Sequence, residues 1–333
     1  MFRSGHLQTV VGAYLPYRRP MYRARHHFVR LADGDQLVLH DDCPKDWQPH
    51  DRSALLIHGL AGCHESGYME RIAHKLCNQG VRAFRMDLRG CGAGVHLARL
   101  PYHSGRSEDA AAALEAIAEH LPHSPTTLIG FSLGANITLK LLGELGHNRC
   151  GNLDSAVAVC PPVDLAACSE KISQPKSRVY DRYFVRLLLR QLEHRRKMLP
   201  ELISAPFTRR PRTLWEFDDS FTAVVCGFGS ADNYYSSASS AGWIAHIRVP
   251  TLVLASRDDP MIPADCLENA AAPESVQIHM TDGGGHLGFL GRSGVDPDRR
   301  WMEWRVVDWV MRQAASAADR VSRDDDRLVG TEP

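Results

Sequence analysis

Short apolar runs recur along the chain, separated by stretches with helical spacing. Ala54-Leu55-Leu56-Ile57 is a continuous apolar run, the pattern of a strand buried on both faces. Similar runs stand at 81–86, 126–131, 156–159, 251–255 and 276–280. Helical patterns fall at 68–78, 107–121, 133–145, 264–272 and 300–315. Gly80 and Gly146 follow two of these as C-terminal stops, and Pro122 breaks another. Strands this short, alternating with helices, predict βαβ units and a mostly parallel central sheet flanked by helices. The first 50 residues read as irregular, except for strand-like runs at 27–31 and 36–40. Asp33-Gly34 between those two runs predicts a hairpin.

From about 165 to 245 the rhythm fails, and the segment reads as a helical cap inserted over the sheet. From 318 the chain is charged and without periodicity, which predicts an unstructured tail over 318–333. No internal repeat appears. The expected organisation is therefore a single α/β domain over 1–317, consistent with 333 residues and one large unit carrying an insertion.

Charge narrows the class. Lys plus Arg is 39 and Asp plus Glu is 39, without the basic excess of a nucleic-acid binder. The nine cysteines are odd in number and lack C-x-x-C spacing, which argues against a disulfide framework or a zinc knuckle. Free thiols suit a reducing compartment. The first residues lack the apolar core of a signal peptide, and no run reaches the roughly 18 apolar residues of a membrane span. A soluble, cytoplasmic protein is the expectation.

Gly130-Phe131-Ser132-Leu133-Gly134 is a G-x-S-x-G motif between a predicted strand and a predicted helix. That context is what a nucleophile elbow requires. The serine must sit on a tight turn so that its hydroxyl projects beyond the sheet. Small residues at 130 and 134 let strand and helix approach. His58-Gly59-Leu60-Ala61-Gly62 follows the first buried run, where a backbone N–H can stabilise an oxyanion. The two candidate donors are the amides of Leu60 and Leu133. A strand-end turn is the bland alternative.

His286 stands out among 17 histidines because it lies in Asp282-Gly283-Gly284-Gly285-His286-Leu287-Gly288-Phe289, after the last predicted strand. A glycine turn there can return an imidazole to Ser132, where it would act as general base. The acid that would orient it lies in Asp258-Asp259-Pro260, after the run at 251–255. Asp259 is preferred, Asp258 competes, and Asp164 is a weaker third. The order serine, acid, histidine matches α/β-hydrolases. His40-Asp41-Asp42-Cys43 and Cys63-His64 lack metal-site spacing, so no metal is expected. The glycines at 59 and 62 lack the G-x-G-x-x-G spacing of a dinucleotide site, so no cofactor is expected either.

Taken together, these motifs resemble the α/β-hydrolase superfamily, and within it the YheT-like branch related to ABHD-type lipid and ester hydrolases. Three further stretches carry the likeness to that branch: Gly5-His6-Leu7-Gln8-Thr9; Phe217-Asp218-Asp219-Ser220-Phe221-Thr222 with Gly227-Phe228 and Asn233-Tyr234-Tyr235; and Asp258-Asp259-Pro260 with the His286 loop. The likeness spans about 5–315. It implies a serine hydrolase acting on a small-molecule acyl ester, through Ser132, Asp259 and His286. Short-chain and glycerolipid esters are the candidate substrates. A thioesterase or amidase with the same triad, and a silent binding protein on this fold, are the alternatives. The resemblance also makes Asp87-Leu88-Arg89-Gly90-Cys91-Gly92 a structural turn, and leaves Asp218-Asp219 with a fold-supporting role.

Arg178, Arg182, Arg186 and Arg190 recur every four residues and would line one face of a cap helix. Arg195, Arg196 and Lys197 extend the charge. Tyr180, Tyr183, Phe184, Leu187, Leu188 and Leu192 would line another face. A solvated outer surface is the plain reading. Peripheral contact with an anionic membrane is the sharper one.

Overall fold

The computed structural model of the protein describes residues 4–21, 23–200, 207 and 209–329, those after 315 as backbone alone. Eight strands form one sheet: β1 (Arg25–Arg30), β2 (Gln36–Asp42), β3 (Ser53–Ile57), β4 (Arg82–Asp87), β5 (Thr126–Phe131), β6 (Leu153–Val159), β7 (Thr251–Ser256) and β8 (Val276–Thr281). Their order is β1-β2-β4-β3-β5-β6-β7-β8. The β1–β2 hairpin and the β2–β4 pair are antiparallel, and every later pair is parallel.

The helices are α1 (Gly5–Tyr14), α2 (Gly67–Cys77), α3 (Ser107–His120), α4 (Leu133–Leu145), α5 (Leu165–Ser173), α6 (Arg178–Met198), α7 (Leu214–Phe217), α8 (Ala223–Val225), α9 (Ala231–Ala238), α10 (Asp265–Glu268) and α11 (Trp301–Val329). Between α7 and α8 the chain makes a π-helical turn, Asp218–Thr222. Side chains alternate along each parallel strand. Leu55, Ile57 and Leu128 pack with Ala113, Leu114 and Ile137 of α3 and α4 on one face. Leu56, Ile129 and Phe131 pack with Ile72, Leu76, Val306 and Val310 of α2 and α11 on the other. Strands covered on both faces have no polar side, which is why they read as unbroken apolar runs. Parallel strands also end together, so the segments after β3, β5, β7 and β8 meet at one edge.

The structure departs from the sequence reading in three places. Residues 5–14, read as irregular, form the helix α1. With two glycines and the β-branched Thr9, Val10 and Val11 it has poor intrinsic propensity, and tertiary packing decides its shape. The expected helix at 264–272 is a single turn, α10. Pro273 disfavours helical backbone at Ala272 and helps to confine it. α11 continues to Val329, through the stretch where no element was expected. That stretch lacks an apolar stripe, but Gly and Pro are absent from it, and a helix needs no stripe to persist. Among the described residues no helix is long and apolar enough to cross a membrane.

Candidate active site

The turn from β5 into α4 places Ser132 at φ 51° and ψ −118°. Left-handed backbone at a non-glycine residue costs about 1–3 kcal/mol and persists only where its surroundings impose it. Here the Ser132 N–H donates to the Val159 carbonyl at 2.8 Å, and its own carbonyl accepts from Ala135 and Asn136 at 2.8 and 3.1 Å. Glycine is required on both sides. A Cβ at Gly130 would stand 2.3 Å from the Gly134 carbonyl oxygen, and one at Gly134 would stand 2.4 Å from that of Ile57.

His286 Nε2 lies 2.9 Å from Ser132 Oγ. Its Nδ1 lies 2.8 Å from Asp259 Oδ2. The other oxygen, Asp259 Oδ1, accepts the N–H groups of Met261 and Ile262 at 2.8 and 3.0 Å. A carboxylate so held accepts the Nδ1 proton, which leaves the Nε2 lone pair facing the Ser132 hydroxyl. Asp259 is 3% exposed, so water competes little for this bond.

The two other candidate acids go elsewhere. Asp258 Oδ1 accepts from Ser256 Oγ and from the N–H groups of Gly284 and Gly285, all within 2.9 Å. It shapes the glycine turn that carries His286. Asp164 caps α5 by accepting from the Ala167 N–H at 3.0 Å.

The loop after β3 holds the first candidate oxyanion donor. The Gly59 N–H donates to the Tyr68 hydroxyl at 2.8 Å, and the Ala61 N–H to the Tyr102 hydroxyl at 2.9 Å. Burial pushes the Tyr68 phenol up to about 12 and that of Tyr102 well above its usual range, so both stay protonated. The amide between them, Leu60, takes no protein acceptor among the described residues, and neither does that of Leu133. Both residues line a cavity with Ser132 and His286. His58 braces the same loop from behind. Its Nδ1–H donates to the Gly59 carbonyl at 2.8 Å, and its Nε2 accepts from Leu88 at 3.2 Å. Burial lowers its pKa and keeps the ring neutral.

That cavity measures about 90 Å³ over the positions a water centre can take. Leu165, Cys168, Ile172, Phe184, Leu214, Met261 and Ile262 make most of its wall apolar. Asp218 and Tyr235 are polar exceptions. Asp218 accepts from Thr222 Oγ1 at 2.7 Å and from the Tyr235 hydroxyl at 2.9 Å. Burial outweighs those two bonds and pushes its carboxyl up to about 7. Asp219 accepts from the Ala231 N–H at 2.9 Å and ties the π-helical turn to α9.

Three clusters among the described residues have the composition of metal ligands. In the first, His27 Nε2 lies 2.9 Å from Asp41 Oδ2 with His120 close by, and Arg82 pairs with the same carboxylate. His40, His64 and Asp87 converge within the sheet edge, and Cys160 lies beside Asp259 and His286. Asp87 accepts from His40 Nε2, His64 Nδ1, and the N–H groups of His64 and Ala93, all within 2.9 Å. Burial opposes its charge, but the two imidazoles outweigh that and hold the carboxyl well below the usual range. The cluster braces the D-x-R-G-x-G turn. His40, at the end of the strand-like run at 36–40, is fully buried in β2. Burial pushes the Cys160 thiol far above its usual value, so it supplies no thiolate.

Sequence reasoning missed what holds the histidine loop. The His286 N–H donates to Thr9 Oγ1 at 2.8 Å, and the Leu290 N–H to Gln8 Oε1 at 3.0 Å. Backbones touch across the contact. A Cβ at Gly288 would lie 2.3 Å from the Gln8 carbonyl oxygen, and one at Gly285 would lie 2.2 Å from that of Gly5. The Gly5–Thr9 stretch carried the only signal, as part of the resemblance. Tyr68 and Tyr102 gave none.

The model of the α/β-hydrolase fold family matches residues 55–293. The chain belongs to that family. Its relatives place it in the YheT/ABHD branch. It is 31% identical over 313 residues to YheT of Escherichia coli (strain K12), provisionally named an esterase, covering 93% of this chain and 91% of that protein. It is 27% identical over 328 residues to the mouse (Mus musculus) phospholipase ABHD3, covering 93% of this chain and 75% of that one. Among solved structures, a Pyrococcus furiosus esterase superposes with a TM-score of 0.57 at 15% identity, covering 87% of this chain and 91% of that one. At that identity the likeness is one of α/β-hydrolase fold.

Proposed function

We propose that this α/β-hydrolase is a serine esterase that cleaves carboxylic acyl esters through an acyl-enzyme. The observation that carries the reading is the line from Asp259 through His286 to Ser132, with 2.8 and 2.9 Å contacts. In the first step Ser132 Oγ attacks the ester carbonyl while His286 Nε2 takes its proton. The carbonyl π electrons move to oxygen, and the N–H groups of Leu60 and Leu133 receive that oxyanion. Each such donor contributes about 10²–10³ in rate in comparable sites. Collapse breaks the ester C–O bond, and the alcohol leaves with the proton from His286. A water then attacks acyl-Ser132, giving its proton to His286; collapse breaks the acyl C–Oγ bond, Ser132 Oγ takes the proton back from His286, and the acid departs. Asp259 keeps one tautomer of the imidazole and stabilises the imidazolium. The apolar wall suits the acyl chain, with short-chain and glycerolipid esters as candidate substrates. The names of the relatives support an ester substrate over a thioester or amide. Nine unpaired cysteines support a reducing, cytoplasmic setting.

Hydrolysis of a p-nitrophenyl ester series, from acetate to palmitate, tests this. Ser132→Ala should abolish turnover and fluorophosphonate labelling. Asp259→Asn should lower kcat by about 10⁴-fold, as loss of the orienting carboxylate does in a Ser-His-Asp triad. Asp258→Asn should cost far less, because an amide oxygen can still accept the Gly284 and Gly285 N–H groups. Equal losses at 258 and 259 would overturn the assignment of the acid. Full activity without the Ser132 hydroxyl would overturn the mechanism.

A further inference from the structure

α6 has two working faces. Phe184 lines the catalytic cavity, while Arg178, Arg182 and Arg186 line a separate outer groove of about 510 Å³ over water-centre positions. Arg210 and Arg212 complete the far wall of that groove. None of these five guanidinium groups forms an ion pair among the described residues. Of the two nearby carboxylates, Asp181 is buried, accepts from the Leu214 N–H through Oδ1 and leaves Oδ2 without a hydrogen-bond partner among the described residues, and Glu216 takes Arg209 and the Arg212 N–H. In a chain with 39 basic and 39 acidic residues, five unpaired arginines around one groove are a strong local imbalance. The sequence pattern overextends this stripe at one end. Arg195 turns inward, is buried, and donates to the carbonyls of Ala98, Arg99 and Leu100.

Apolar side chains flank the charge. On α6, Val179 and Tyr183 are 65% and 45% exposed, and Trp215 beside the groove is 41% exposed. α1 lies against α6 through the stacked rings of His6 and Tyr180, 5.6 Å apart, and adds exposed Leu7, Val10 and Tyr14. Exposed apolar groups beside a basic groove are the pattern of a protein that sits on a bilayer. Arginines seat lipid phosphates while aromatic and aliphatic tips enter the headgroup layer. A soluble polyanion would explain the arginines but not the apolar flank.

We infer that this face of α6, with α1 and the Arg210–Arg212 segment, docks the protein on an anionic phospholipid surface. The catalytic cavity, on the opposite face of the same helix, is thereby brought close to the lipid. Docking does not require ester hydrolysis, so the two readings can fail separately.

The test is cosedimentation of the full chain with phosphatidylcholine vesicles, with and without phosphatidylglycerol, at low ionic strength. The protein should pellet with the anionic vesicles, and added salt should release it. Arg182→Glu with Arg186→Glu should weaken that binding by about 30-fold or more. Hydrolysis of soluble p-nitrophenyl butyrate should be unchanged, which also reports folding. If the charge reversal impairs folding, Arg182→Gln with Arg186→Gln should give a smaller loss of the same sign. Tyr14→Ser with Trp215→Ser should weaken binding without changing its salt dependence. Wild-type protein that ignores anionic vesicles would overturn the proposal, as would binding indifferent to the arginine changes. Binding of inositol hexakisphosphate with no vesicle binding would replace the bilayer with a soluble polyanion.

Discussion

Ser132 is held by residues close to it in the chain, whereas His286 is held from the opposite terminus. The serine turn needs Gly130 and Gly134, the amides of Ala135 and Asn136, and one carbonyl from the neighbouring strand. In the histidine loop the His286 N–H donates to the Thr9 hydroxyl, 277 positions away, and the glycines of α1 supply the packing surface. Arg300, at the start of α11, closes the arrangement by donating to the carbonyls of Gly12 and Leu15 at 3.0 and 2.6 Å. A proposed nucleophile built locally can be recognised as a motif. A proposed base held by a distant segment depends on contacts that no local window contains.

Breaking the distant support should have the largest effect. Gly288→Ala would place a methyl group 2.3 Å from the Gln8 carbonyl oxygen and 2.8 Å from that of Gly284. Both are backbone atoms, so loop and helix must separate. A displacement near 1 Å at a reacting group costs about 10²-fold. Hydrolysis of p-nitrophenyl butyrate should therefore fall by about that factor, with secondary structure intact by circular dichroism. A fully active Gly288→Ala protein would mean that the loop supports itself, and the contrast with the elbow would collapse.

The legible parts of the molecule follow the same division. Strands covered on both faces announce themselves as apolar runs, and β3, β5 and β7 fall where those runs are. The elbow is legible because it compresses its requirements into five residues. Asp258 and Asp259 are adjacent and chemically identical, so only their surroundings separate them. One meets the imidazole and the other meets two glycine amides. α1 was illegible because its glycines and β-branched residues argue against a helix. Those same glycines are what let it touch the Gly285–Gly288 backbone. A sequence that suits a distant contact can look poor by local rules.

A smaller effect should come from a local brace on the oxyanion loop. Tyr68 is nine positions from Gly59, whose N–H donates to its hydroxyl. Tyr68→Phe removes that acceptor and leaves the buried Gly59 amide without a partner. The net loss of about 1–1.5 kcal/mol corresponds to about tenfold. It should appear in kcat rather than KM, because in the proposed mechanism the neighbouring Leu60 N–H serves the transition state. An equal rise in KM with kcat unchanged would place Tyr68 in binding instead.

The smallest and most discriminating change is Thr9→Val. The threonine hydroxyl donates to the Gly5 carbonyl at 2.7 Å and accepts the His286 N–H at 2.8 Å. Valine keeps the shape and the χ1 stiffness of a β-branched residue but removes both bonds. The helix loses little, because a hydroxyl bonded back to the preceding turn contributes little to helix stability. The histidine backbone loses its acceptor, at about 1 kcal/mol, so kcat on a soluble ester should fall by about fivefold. KM and Tm should change little. Thr9→Ser restores the oxygen without the methyl group and should recover most of the rate. If Thr9→Val lowers Tm while kcat stays at the wild-type value, Thr9 only stabilises α1, and the base is positioned by the Asp258 turn alone. If kcat falls and serine rescues it, a residue in the first turns of the chain sets the aim of an imidazole 277 positions later.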